Sequence, residues 1–252
     1  MGIDLSGKVA VVTGASGELG RVISRTLAEA GASVALHYYS NAEKAEAVKD
    51  DIVAAGGKAM TVQADVSDKD SVFAMRDTVK AELGDADIIV NNAVQQYDWV
   101  NVLEQDEADF QSQFDTCVMH NLLMAKAFVP AMIEKKAGRI IATNTECTMQ
   151  CGTGMAAYIS GKGGQDRLLR VLAKEIGEHQ ITVNQVAPGW MISDSFRDEP
   201  IDDSGYVKNV PLKRRGEDQD IANAVLFFAS DLASFITGVY LPVCGGQVMP
   251  SI

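Results

Sequence analysis

The feature that most constrains this chain is an alternation running from end to end, in which short β-branched runs are followed by longer amphipathic stretches. The runs are Val9–Val12, Val34–His37, Ala59–Val62, Asp87–Asn91, Arg139–Thr143, Ile181–Val186 and Val239–Val243. Helical patterns lie between them, among them Leu19–Ala30, Ala42–Ala55, Asp68–Leu83, Phe110–Ile133, Ala156–Glu178 and Asp218–Ala229. Strands that are almost wholly apolar must be covered on both faces, which is the environment of a parallel sheet flanked by helices. The expected fold class is therefore α/β, a doubly wound seven-stranded parallel sheet with helices on both faces and right-handed crossovers. No linker, repeat or charge run divides the 252 residues, so one domain spanning 1–252 is expected. The stretch Met191–Gly216 lacks clear periodicity. A loop that long in a compact domain is commonly functional, and a substrate lid is expected there.

Charge narrows the partners. The formal net charge is −12, from 34 acidic and 22 basic residues, and such a surface repels phosphate backbones and anionic lipid. Neither nucleic acid nor a membrane is an expected partner. Four scattered cysteines (Cys117, Cys147, Cys151 and Cys244) do not make a disulfide framework. Cys147 and Cys151 lack a second pair at zinc spacing, so no metal is expected. The start MGIDLSGKVAVVTG has no basic segment leading into a long apolar one, and no apolar run of about 18 residues follows it. A cytoplasmic location is expected.

The first strand runs into Thr13-Gly14-Ala15-Ser16-Gly17-Glu18-Leu19-Gly20, where a helical pattern opens. Glycines at a strand-to-helix turn let the backbone approach a pyrophosphate, while free amides and the helix dipole hold its charge. Gly14, Ser16, Gly17, Leu19 and Gly20 are the expected contacts. The second strand ends in His37-Tyr38-Tyr39-Ser40-Asn41 without the acid that binds the ribose of NAD in many dinucleotide enzymes. Nothing there repels a 2′-phosphate, and Tyr38, Ser40 and Asn41 can border one. No arginine is present either, but NADP(H) is expected ahead of NAD(H). Asp65 and Val66 end the third strand; the carboxylate is read either as an acceptor for the adenine amino group or as the N-cap of the following helix.

Tyr158 and Lys162 stand four apart on a strong helical pattern, which places them on one face. A phenol titrates near ~10 in water, and a neighbouring ammonium favours its anion. The pair is either an acid/base centre or an ordinary exposed helix face, and context decides.

That context is the order of motifs. Thr13–Gly20, Asn91-Asn92-Ala93, Asn121, Tyr158-Ile-Ser-Gly-Lys162 and Pro188-Gly189 occur in the order and rough spacing of the short-chain dehydrogenase/reductase family, which the whole chain resembles. The tail from Pro211-Leu-Lys-Arg-Arg-Gly216 through Gly245-Gly246 is similar to bacterial 3-oxoacyl-carrier-protein reductases.

The resemblance implies a Rossmann-type enzyme that moves a hydride between NAD(P)(H) and a carbonyl or secondary alcohol. It implies Tyr158 as proton donor and acceptor, and Lys162 as the group that lowers its pKa and binds the nicotinamide ribose. Thr145 would hold the substrate oxygen where the family usually has serine, and Asn121 would anchor a relay water unless it is simply a lone polar group in its helix. Asn92 and Ala93 would border the cofactor, with Asn91 beside the adenine ribose or tying strands together. Pro188, Gly189, Met191 and Ser193 would meet the nicotinamide end. Trp190, Met149 and Met155 are either a substrate wall or core.

Two departures stand out: Glu18 where the family's second glycine falls, and Val94 where a glycine follows Asn-Asn-Ala. They motivate an alternative reading as a catalytically silent dinucleotide sensor. A third reading keeps the enzyme but makes the substrate a 3-oxoacyl thioester on an acyl carrier protein, docked on Lys126, Arg167, Arg170 and Lys174. A homo-oligomer, dimer or tetramer, is implied through the helices Phe110–Ile133 and Ala156–Glu178.

Overall fold

The computed structural model describes residues 2–193 and 203–250. Seven strands form one sheet: β1 (Val9–Val12), β2 (Ser33–Tyr38), β3 (Lys58–Gln63), β4 (Ile88–Asn91), β5 (Gly138–Thr143), β6 (Ile181–Pro188) and, last in the chain, β9 (Tyr240–Val243). They lie in the order β3-β2-β1-β4-β5-β6-β9, and every pairing is parallel. Two short strands, β7 (Met191–Ile192) and β8 (Gly216–Glu217), pair separately.

The apolar runs form strands because both of their faces are buried. Val9 and Val11 point into one core layer, where Val72 and Met75 of α3 (Lys69–Glu82), Met124, Phe128 and Met132 of α5 (His120–Lys135) and Leu169 and Ala173 of α7 (Ala156–Ile176) pack. Ala10 and Val12 point the other way, against Ile23 and Leu27 of α1 (Glu18–Glu29), Val48 and Ile52 of α2 (Ala42–Ala54) and Ile221, Val225 and Phe228 of α9 (Asp218–Ala229). One-residue alternation thus feeds two layers.

Local signals set the helix starts. The Asn41 side chain accepts from the Lys44 N–H and caps α2. Asp68 caps α3 through the Ser71 N–H, at 2.7 Å. Asp65 is therefore not that cap; its carboxylate instead accepts from the Ser67 N–H and hydroxyl. Glu217 and Asp220 close a capping box on α9.

Two expectations need correction. The stretch read as one helix over Phe110–Ile133 begins earlier and is interrupted: α4 (Glu107–Gln113) passes into a π-helical segment, Phe114–Met119, before α5. A widened turn of this kind carries the same apolar periodicity as its neighbours, so the pattern does not reveal it. The composite helix Glu107–Lys135 contains an 18-residue window of mean hydropathy 1.3, and its buried apolar side chains pack on the sheet. The second correction concerns Met191–Gly216. It holds the helix α8 (Ser204–Asn209), too short to show a period, while 194–202 of the expected lid lie outside the described residues. Also between the larger elements is α6, Cys147–Gln150.

His120 begins α5 wholly inside the protein, with Nδ1 3.1 Å from the Thr116 carbonyl. Burial lowers its pKa to about 3. The unfolded chain takes up this proton near ~6.5 and the folded chain does not, so stability is full above that range and falls as pH drops. From pH 7 to pH 5, urea denaturation should show a loss of about 2 kcal/mol attributable to His120. His120→Asn should flatten the pH dependence by that amount. An equally steep curve in the variant would show that His120 is not the group excluded from protonation.

Candidate active site

In a doubly wound sheet the crevice opens where the strand order reverses, at the carboxyl ends of the two strands flanking the reversal. Here those are β1 and β4. Thr13 follows β1, and its hydroxyl accepts from the Asn92 N–H at 2.8 Å and the Ala93 N–H at 3.1 Å. The Asn92 side chain donates to the Thr13 carbonyl and accepts from the Thr143 hydroxyl at the end of β5. Three strand ends are thereby knitted into one floor.

On that floor sits the glycine loop. Gly14 has φ +64°, and a Cβ there would lie 3.1 Å from Ala93 Cα. A Cβ on Gly20 would stand 2.1 Å from the Gly14 carbonyl oxygen, so only glycine allows the first turn of α1 to pack against the loop. Gly17 is the N-cap and offers no side chain to the orphan amides. This is a backbone cradle for an anion at a helix N-terminus, and the residues present fit a dinucleotide pyrophosphate. Glu18 does not block it, because its carboxylate is drawn along the helix into an ion pair with Arg21. Ser16 and Leu19 are partly buried in the same loop, and Val94 is a partly buried coil residue after Ala93.

Beyond the glycine loop, Tyr38 closes β2, and Ser40 and Asn41 are exposed. The capping bond occupies the Asn41 side-chain oxygen and leaves its amide as the donor. Val66 is buried and Asp65 partly so at the end of β3.

The structure gathers Thr145, Tyr158 and Lys162 beside the end of β5. Lys162 is buried, and its ammonium donates to the Thr143 carbonyl at 2.6 Å and to Gln165 at 3.3 Å. It lies 5.9 Å from the centroid of the Tyr158 ring. Thr145 faces the phenol, and its hydrogen bond favours the phenolate. Burial acts in the opposite direction and dominates, raising the Tyr158 pKa well above the ordinary phenol value, while it lowers that of Lys162. The expected acidification of Tyr158 by Lys162 is thus not a property of the protein alone. The ammonium stands off the ring and is held by backbone, and desolvation outweighs the neighbouring hydroxyl.

Asn121 is buried, with its side-chain oxygen accepting from Asn91 at 2.7 Å and its amide donating to the Cys117 carbonyl at 2.7 Å. Both side-chain functions are engaged, one of them on the π-helical segment, so the side chain itself has little capacity left to bind a water. The Asn91 side chain ties β4 to α5.

The turn after β6 is held through its backbone. Pro188 accepts from the Glu146 N–H at 2.9 Å, Gly189 donates to the Val243 carbonyl at 3.1 Å, and the Met191 carbonyl accepts from Arg215. Ser193 is the last described residue before the gap. Trp190 and Met149 are partly exposed rather than core, and Met155 is half-buried beside Gly152.

Several residues at this site carry no signal at sequence level. Tyr97 and Trp99 come from the coil after β4: the Tyr97 hydroxyl accepts from the Tyr158 N–H at 2.8 Å, and the Trp99 ring stacks on Tyr158 with centroids 6.0 Å apart. The start of α7 has no side-chain cap of its own, and Tyr97 takes that place. From α8, the Tyr206 hydroxyl accepts from the Trp190 N–H at 2.9 Å and donates to Glu146 at 3.0 Å. Glu146 is buried, and burial raises its pKa. Only its adjacency to Thr145 hints at it in the sequence.

Comparison with known proteins agrees with this geometry. The family model described as enoyl-(acyl carrier protein) reductase matches residues 14–247. The 3-oxoacyl-[acyl-carrier-protein] reductase of Staphylococcus epidermidis is 37% identical over 245 residues, covering 96% of this chain and 99% of that protein. That of Escherichia coli K12 is 37% identical over 248 residues, covering 98% and 100%. Among solved structures, a 7α-hydroxysteroid dehydrogenase complexed with NADH and 7-oxo glycochenodeoxycholic acid superposes with a TM-score of 0.91 at 32% identity, covering 98% of this chain and 96% of that one. A hydroxysteroid dehydrogenase from Escherichia coli superposes at 0.88 with 33% identity, covering 98% of both chains. With the motifs, sheet order and coverage in agreement, the chain belongs to the short-chain dehydrogenase/reductase family of NAD(P)(H)-dependent oxidoreductases.

Proposed function

We propose that the chain interconverts a carbonyl and a secondary alcohol with Tyr158 as the proton-transferring group, and that it favours NADP(H). The observation that carries this reading is the convergence of Thr145, Tyr158 and Lys162 beside the glycine cradle.

A bound nicotinamide supplies the hydride in reduction and accepts it in oxidation. Burial disfavours the phenolate, so donation to a carbonyl oxygen that is gaining negative charge depends on what the site supplies to stabilise that anion. Thr145 orients that oxygen and stabilises the phenolate left behind. Lys162, fixed by Thr143 and Gln165, supplies the compensating positive charge. Asn91 and Asn121 position the π-helical segment against which α7 packs, at Gly164, where a Cβ would lie 2.9 Å from the Val118 side chain.

One alternative loses ground and the other gains support. The sensor reading rested on Glu18 and Val94, and the carboxylate of Glu18 is partnered within its own helix. The carrier-protein reading draws support from relatives that are named acyl-carrier-protein reductases. Its expected docking patch is partly neutralised, however, because Arg170 pairs with Asp166 at 2.7 Å and Arg167 lies 3.8 Å from the same carboxylate. A homo-oligomer through α4–α5 and α7 remains part of the proposal.

Tyr158→Phe should lower turnover by roughly 10²–10⁴-fold with nucleotide affinity unchanged, read by steady-state kinetics and by nucleotide titration. Unchanged turnover would remove Tyr158 from the chemistry. Ser40→Glu places a carboxylate where the 2′-phosphate is proposed to lie, and should weaken NADPH by on the order of tenfold while sparing NADH. Equal effects on both cofactors would place the phosphate elsewhere. Arg167→Glu with Arg170→Glu should slow a carrier-bound 3-oxoacyl substrate and spare a small ketone if this face docks a carrier; equal rates on both substrates exclude the patch.

A further inference from the structure

One buried titratable group near the cradle has no part in this chemistry. His37, near the end of β2, is 1% exposed. Its Nε2 lies 3.0 Å from the Ala64 carbonyl, which can only accept, so Nε2 carries the proton. Its Nδ1 lies 3.0 Å from the Gly14 N–H, which can only donate, so Nδ1 is bare. The backbone therefore fixes one neutral tautomer. The His37 carbonyl also accepts from the Ala15 N–H at 2.9 Å, so one residue holds two successive amides of the loop.

Gly14 needs such a hold. It sits at φ +64° against Ala93, and its carbonyl is the surface on which Gly20 packs. A second proton on the imidazole would face the Gly14 N–H donor to donor, and the amide, already turned from water, would lose its acceptor.

We propose that His37 is a positioning residue for the phosphate loop, and that protonation of its ring and binding of the dinucleotide exclude each other. The inference rests on the proposed cofactor site.

The groups facing the ring are few. From the end of β3, Asp65 carries a charge that favours protonation; from α5, His120 is buried and neutral; the loop after β1 presents only uncharged Gly14 and Ala15. Burial outweighs Asp65 and the bond to Ala64, and moves the titration of His37 below the ordinary imidazole range. Nucleotide affinity is thus constant near neutrality, and in acid it falls by up to tenfold per pH unit, the slope of a single proton.

The two amide side chains separate the ring's two bonds. In His37→Asn the side-chain oxygen takes the place of Nδ1 and can accept from Gly14, but it cannot titrate. In His37→Gln the amide reaches toward Ala64 and leaves Gly14 without an acceptor. Dissociation constants for NADH and NADPH, measured by titration from pH 8 to pH 5 at fixed ionic strength, read the outcome. NADH is included because it lacks the 2′-phosphate, whose own ionisation falls near ~6.

The wild type should weaken toward both nucleotides in acid. His37→Asn should recover neutral-pH affinity and lose the acid dependence. His37→Gln should bind on the order of tenfold more weakly than His37→Asn at neutral pH, the effect of one buried donor left unpaired. Since both variants replace the ring with an amide, general destabilisation would affect them alike, and the difference between them is the signal. Equal binding by the two variants, or a wild-type acid dependence in His37→Asn, overturns the inference while leaving the cofactor site in place. A wild-type protein that binds neither nucleotide at any pH overturns the cofactor site itself, and this inference with it.

Discussion

Much of this structure depends on the Thr13 hydroxyl accepting two amides from the segment after β4. The strand order reverses between β1 and β4, so the helices that follow them cover opposite faces and the two loops part. Something must hold the parted loops at a fixed separation, and Thr13, with Asn92 as its counterpart, does so from inside the crevice. The glycine cradle stands on one side of that tie. On the other, Asn92 continues through Thr143 to the end of β5, whose last carbonyl holds Lys162. The floor under the glycine cradle and the buried Lys162 are thus parts of one hydrogen-bonded layer.

Electrostatics at the centre oppose a simple picture of an activated phenol. Desolvation acts on Tyr158 and Lys162 together, keeping the proton on the first and weakening the cationic form of the second. Both shifts disfavour charge in a buried site, as expected where water is excluded. With charge disfavoured at both groups, proton donation by Tyr158 depends on what else in the site stabilises its anion.

The seven-stranded parallel sheet and most helix limits could be read from the chain because they follow from periodicities of two and 3.6, written in every strand and helix, whereas the strand order came only with the structure. Val9–Val12 and Asp218–Ala229 coincide with the observed elements to the residue. The site was legible where chemistry is tied to spacing, as at Gly14, Gly17 and Gly20 or Tyr158 and Lys162. It was not legible where contact comes from tertiary folding alone. Tyr97 lies 61 residues from the amide it accepts, and Tyr206 lies 60 from Glu146. No local pattern marks such pairs. The π-helical segment escaped for another reason: an inserted residue changes hydrogen bonding without changing which side chains are apolar. His37 reads in sequence as one more residue of a buried strand, and only the path of Gly14 gives its nitrogen a partner.

The contact of Tyr206 with Glu146 bears on how α8 can open. A carboxyl that is buried and reluctant to ionise accepts from a phenol on α8, and that phenol accepts in turn from the Trp190 amide. Lifting α8 breaks this chain in the middle, exposing three polar groups at once beside the turn after β6. Opening at α8 would therefore cost three hydrogen-bonding groups together rather than one at a time.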